Sequence, residues 1–133
     1  MNLMALYGMI LKFDLKCICS SSGPDAVRLF QKKLEATCCN SSFRLVLTDI
    51  QMPDMDGYRV AECIRATEYA FKESLANKSA QGKYKTEKNC SIIAVTAFTN
   101  DIEANTKKVG IEQVIRKPVD QAVLKKVLKK CIL

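Results

Sequence analysis

Apolar residues fall along this chain in two rhythms, and their alternation predicts the fold class before any side-chain chemistry is considered. In "RLVLTD" (44–49), "SIIAVT" (91–96) and "QVI" (113–115) apolar side chains follow one another without polar alternation, the pattern of a parallel strand covered on both faces. "KCICSS" (16–21) reads as one more short strand. Around these runs the spacing is helical. The opening "MNLMALYGMILKF" suits an amphipathic helix, and Gly23-Pro24-Asp25 starts a second that continues to Leu34, since proline is accommodated in a first helical turn. Asp56 and Gly57 open a third, with Val60, Ala61 and Ile64 on one side and Asp56 capping the free amides. "NDIEANTKKVG" (100–110) predicts a helix with a polar start and a glycine stop. "VLKKVLKKCIL" repeats Val123, Leu124, Val127, Leu128 and Cys131 at helical spacing, which turns its lysines outward. Strands alternating with helices predict an α/β fold with a parallel sheet. The polar, lysine-rich stretch 67–90 predicts a frayed helical extension and a surface loop inserted into a single domain spanning 1–133.

Composition narrows the function classes. The 133 residues suffice for one domain, and no apolar run approaches the roughly 20 residues of a membrane span. The first segment lacks the basic start and cleavage site of a signal peptide. Seven cysteines without a C-x-x-C pair predict reduced thiols in a cytosolic chain, and the absence of histidine removes zinc hydrolases and histidine-dependent nucleophiles. The charge of +7 comes from lysines spread along the chain without interleaved aromatics, which predicts a solvated face and no nucleic-acid partner. The terminal amphipathic helix is read as packed on the domain, with no membrane contact. Neither a P-loop nor a dinucleotide fingerprint is present, and an EF-hand counted from Gly57 puts Met52 and Cys63 where acids are required.

Three residues share one property: Asp49, Thr96 and Lys117 each stand at the end of a predicted parallel strand. Functional groups of such sheets collect at the carboxyl ends of the strands. A carboxylate, a hydroxyl and an ammonium gathered there can act as nucleophile, hydrogen-bond donor and charge neutraliser in phosphoryl transfer.

On these residues the chain resembles the receiver domain of two-component response regulators and hybrid histidine kinases. The resemblance rests on "LVLTDIQMPDMDG", followed in order by "SIIAVTA" and "VIRKP", and it covers nearly the whole chain; "DIQMPDMDGY" is most similar to receivers attached to hybrid kinases. It implies a flavodoxin-like (CheY-like) doubly wound parallel sheet of nominal strand order 2-1-3-4-5. It implies that Asp49 accepts a phosphoryl group from the phosphohistidine of a histidine kinase or histidine phosphotransfer protein. Thr96 is then the switch hydroxyl and Lys117 the phosphoryl-contacting lysine. Magnesium is held by Asp49 and the backbone carbonyl of Gln51, and the bond before Pro118 is cis. The implied chemistry is self-catalysed phosphoryl acceptance and autodephosphorylation, not independent enzyme activity, in a cytoplasmic domain whose parent kinase could be membrane-attached.

The chain departs from the family pattern at two places. Receivers begin with a strand ending in an acidic pair that holds magnesium with the acceptor, whereas "MNLMALYGM" aligns with the helix just beyond that pair. The expectation is therefore a missing first strand, a poorly held magnesium ion and an unstable fragment. Val114 stands where many receivers place an aromatic switch residue, which leaves a loop shift led by Thr96. Asp54 is expected to be a solvated loop acid. The competing reading is a pseudo-receiver that docks a partner without being phosphorylated.

Overall fold

The computed structural model describes residues 3–13, 15, 17–20, 22–35, 43–50, 55–78, 90–97 and 106–131. In chain order its elements are α1 (Leu3–Leu11), α2 (Gly23–Glu35), β1 (Leu45–Asp49), α3 (Gly57–Lys78), β2 (Ser91–Thr96), β3 (Gln113–Arg116) and α4 (Gln121–Cys131), with a helical turn at 106–108 before β3.

Strand β2 accounts for the layering. Successive side chains of a strand point to opposite faces, so a run that is apolar throughout needs cover on both. Ile92 and Ala94 face a core of Phe30 from α2, Val60, Ala61 and Ile64 from α3, and Ile111. Ile93 and Val95 face a second core of Ile10 from α1, Ile115 from β3, and Leu124, Val127 and Leu128 from α4. Burying each such aliphatic side chain stabilises the fold by about 1.5–3 kcal/mol. Both layers are thus fastened to one strand.

The sheet is parallel with order β1-β2-β3; Leu45 to Asp49 lie opposite Ser91 to Val95, and Ile93 to Thr96 lie opposite Gln113 to Arg116. Among the described residues no strand pairs with the edge of β1 away from β2. The predicted strand at 16–21 is a correction: residues 17–20 have no strand pairing. A strand exists only through a ladder partner, and the polar end of this segment serves a helix instead. The Ser20 hydroxyl donates to Asp25 Oδ2 at 2.9 Å, and Ser22 Oγ accepts the Asp25 N–H at 3.2 Å, capping α2.

Other boundaries follow local chemistry. Asp56 Oδ1 accepts the Arg59 N–H at 2.8 Å, the cap expected for α3. Helix α3 runs unbroken to Lys78, and both Glu68 and Cys90 are buried, although they fall within the stretch expected to be a surface insertion. Residues 79–89 and 98–105 lie outside the described residues, and with them the surface loop and most of the helix expected at 100–110. That helix's glycine stop is in place, since Gly110 has φ of 87°. On α4, Leu124, Val127 and Leu128 are buried as the spacing predicts, whereas Val123 is exposed.

Candidate functional site

The parallel register brings the ends of β1, β2 and β3 to one edge of the sheet. Asp49 ends β1 and Thr96 ends β2; Lys117 follows β3 directly. The Lys117 backbone N–H donates to the Thr96 carbonyl at 2.8 Å, so the β2–β3 ladder continues by one bond beyond the strands. That bond aims the lysine across the edge. Its Nζ donates to Asp49 Oδ2 at 2.5 Å, in a pair whose side chains are 21% and 34% exposed for lysine and aspartate. The Lys117–Pro118 bond is cis. The Thr96 side chain is fully buried at the same edge. All three predicted residues are therefore placed at one edge, with Asp49 and Lys117 in direct contact.

The backbone of Asp49 is confined from two sides. The Thr48 hydroxyl donates to the Asp49 carbonyl at 3.1 Å, and the Gly57 N–H donates to the Ile50 carbonyl at 2.9 Å. A methyl group at Gly57 would stand 2.5 Å from the Asp49 carbonyl oxygen and 2.9 Å from Ile50 Cα. Only glycine lets the start of α3 come this close to β1. The sequence marks Gly57 as a helix opener; its long-range contact with β1 has no local signature beyond the Asp-Gly pair.

A second polar cluster lies at the opposite end of β2. Arg65 donates to the Gly110 carbonyl through Nε (3.1 Å) and Nη2 (2.7 Å), and through Nη1 to Glu68 Oε1 (2.7 Å) and the Cys90 carbonyl (2.6 Å). Glu68 Oε2 accepts the Cys90 N–H at 2.7 Å. The Cys90 thiol is pushed up to about 12, first by burial and then by the Glu68 carboxylate, with Arg65 opposing. The i,i+3 spacing of Arg65 and Glu68 was a readable signal for their pairing. Their carbonyl and amide partners, brought in from before β2 and β3, were not readable.

Magnesium asks for several oxygen ligands in near-octahedral array. Asp49 supplies one carboxylate, already bonded to an ammonium, and among the described residues no group of three or more acidic, cysteine or histidine side chains could hold a metal. Gln51 and Asp54 lie outside the described residues. The described donors alone do not fit the ion. No helix among the described residues is long and apolar enough to cross a membrane.

Several known proteins are similar to this chain. No family model matches it. It is 31% identical to probable histidine kinase 4 of Oryza sativa subsp. japonica over 97% of the chain and 12% of that protein. It is 32% identical to probable histidine kinase 6 of the same plant over 92% of the chain and 12% of that protein. The chain thus spans about an eighth of the length of these relatives. Among solved structures it is similar to the receiver domain of a Pseudomonas aeruginosa sensor histidine kinase with magnesium in its active-site cleft, at a TM-score of 0.70 and 21% identity, covering 98% of this chain and 88% of that one. It is also similar to a Saccharomyces cerevisiae response-regulator receiver domain co-crystallised with a histidine phosphotransfer protein, at a TM-score of 0.74 and 19% identity, covering 96% and 79%. The magnesium complex of an Arabidopsis thaliana histidine kinase receiver domain aligns at a TM-score of 0.60 and 25% identity, covering 82% and 68%.

Proposed function

Since the chain belongs to the receiver domains of the histidine-kinase phosphorelays, we propose that Asp49 is its phosphoacceptor and that Thr96 and Lys117 serve the transfer. A carboxylate oxygen of Asp49 attacks the phosphorus of a phosphohistidine; the P–N bond breaks, its electrons pass to the imidazole nitrogen, and an acyl phosphate forms on Asp49. Lys117 carries the reading. Its ammonium already bonds the attacking carboxylate, so it stands within reach of the charge that builds on the phosphoryl oxygens. The Thr96 hydroxyl, buried at the same edge, would donate to a phosphoryl oxygen only after a local shift, and that shift couples phosphorylation to the loop following β2.

The relatives and the yeast complex support a histidine kinase or histidine phosphotransfer protein as the donor. With no histidine in the chain, the donor group comes from another domain or molecule. We place the domain in the cytoplasm, in contact with neither membrane nor nucleic acid. The similar Pseudomonas and Arabidopsis receiver domains hold magnesium, which makes the ion the family's expected companion, while in this chain Asp49, Thr96 and Lys117 supply the groups for the transfer.

The experiment is incubation with a small phosphoramidate donor in magnesium-containing buffer, read by intact mass. The expected result is one base-labile phosphoryl adduct in the native chain and none in Asp49→Asn. A folded native chain that takes up no phosphoryl group would end the proposal in favour of a docking pseudo-receiver.

A further inference from the structure

Helix α4 carries four exposed lysines and no carboxylate. Lys125 and Lys129 form one i,i+4 row and Lys126 and Lys130 another, on the side opposite Leu124, Val127 and Leu128. Like charges at this spacing oppose a helix, and the other charged helices relieve their exposed arginines with an acid three residues away: Arg28 with Asp25 on α2, Arg59 with Glu62 on α3. Among the described residues no carboxylate forms an ion pair with any of the four lysines. Asp120, the nearest acid before the helix, has its Oδ1 engaged by the Ala122 N–H at 3.0 Å. Val123, 39% exposed, flanks the lysines one turn before Lys126.

We propose that this face of α4 docks an acidic protein surface, most simply a helix presenting Asp or Glu at i,i+4 spacing opposite the two lysine rows. Charge complementarity is the ground: the stripe has one sign, no described partner, and an apolar contact at its margin. Two other occupants fit less well. A lipid surface would be entered through the apolar side of an amphipathic helix, and here that side is committed to the core. A nucleic acid would meet these lysines through its phosphates alone, since α4 has no arginine fork and no aromatic to stack a base. The surface is separate from Asp49, so the inference stands whether or not that residue is phosphorylated.

The test titrates the whole chain with poly-glutamate, with phosphatidylserine-containing vesicles and with duplex DNA at matched charge concentration. Replacing Lys125, Lys126, Lys129 and Lys130 by glutamine is expected to weaken poly-glutamate binding about tenfold or more. Glutamine at Lys12, Lys32, Lys107 and Lys108, four exposed lysines elsewhere, is expected to leave it within about threefold. All eight are exposed, so both variants should fold as the native chain does, with circular dichroism melts differing only by the small relief of like-charge repulsion on α4. The proposal is overturned if poly-glutamate does not bind the native chain, if both variants weaken it equally, or if vesicles or DNA bind more tightly than poly-glutamate.

Discussion

Strand β2 has an ion pair at each end, and the two are built for opposite ends. Beyond Cys90, Arg65 and Glu68 share hydrogen bonds with two backbone carbonyls and one backbone amide, and the Glu68 side chain is only 7% exposed. Beyond Thr96, the Lys117 ammonium reaches Asp49 Oδ2 between side chains that remain 21% and 34% exposed. The first arrangement locks helix α3 to the starts of β2 and β3. The second leaves a carboxylate within reach of a ligand and an ammonium that can follow the charge. An arginine, with five donors in a fixed fork, suits the first task, and a lysine, with a mobile point charge, suits the second. A parallel sheet assigns the tasks to these ends, because reactive groups gather at strand C-termini.

This contrast can be broken most severely at the clamp. Arg65→Ala leaves the Glu68 carboxylate buried without its cation and two carbonyls without donors, and is expected to lower unfolding free energy by about 3–5 kcal/mol in urea titration. A loss below about 1 kcal/mol would show that water replaces the guanidinium and that the clamp is no clamp. Next is Gly57→Ala, whose methyl meets the Asp49 carbonyl; the expected cost is about 1–3 kcal/mol, together with slower phosphoryl uptake because the backbone of Asp49 must move. Unchanged stability and uptake would show that the close approach does not hold Asp49 in position. At the other end Lys117→Gln should change stability by about 1 kcal/mol or less, as partly exposed pairs do, while slowing adduct formation about a hundredfold. Stability and reactivity falling together at Lys117, or separating at Arg65, would erase the distinction between the two ends.

At neutral pH the smallest effect comes from Cys90, whose contribution changes only in alkaline solution. The folded Cys90 thiol is held neutral up to about 12, above its ordinary value of 9.0. The unfolded chain therefore releases this proton first, and the stability Cys90 contributes is complete below about pH 9 and lost as pH rises toward 12. Melts of the native chain and Cys90→Ala should show a stability difference that is constant below pH 9 and falls above it. A difference independent of pH up to 12 would contradict the burial of that thiol.

Why the meeting of three strand-end residues could be anticipated, and the clamp could not, follows from where each signal lies. Asp49, Thr96 and Lys117 stand at strand ends, and an apolar run announces its own end, so alternation plus the rule for parallel sheets was enough to collect them. The two faces of β2 were legible for the same reason. The strand expected at 16–21 does not form across 17–20, because apolar spacing says nothing of whether a ladder partner is available, and Ser20 bonds Asp25 at the start of α2 instead. Glu68 looked like part of a polar surface stretch, since a carboxylate's burial depends on an arginine and an amide that the chain brings together only when folded. Val123 shows the opposite limit: helical spacing placed it on the apolar side, yet it lies at the margin of that side and is exposed.

The central claim is that the acid at the open end of the sheet is the one that reacts. The direct measurement is borohydride reduction of the chain after exposure to the phosphodonor, which converts an aspartyl phosphate to homoserine, followed by peptide mass mapping. Homoserine at position 49, absent without donor, is the predicted result. Homoserine at Asp54 or Asp56, or none in a chain that melts cooperatively, would contradict it.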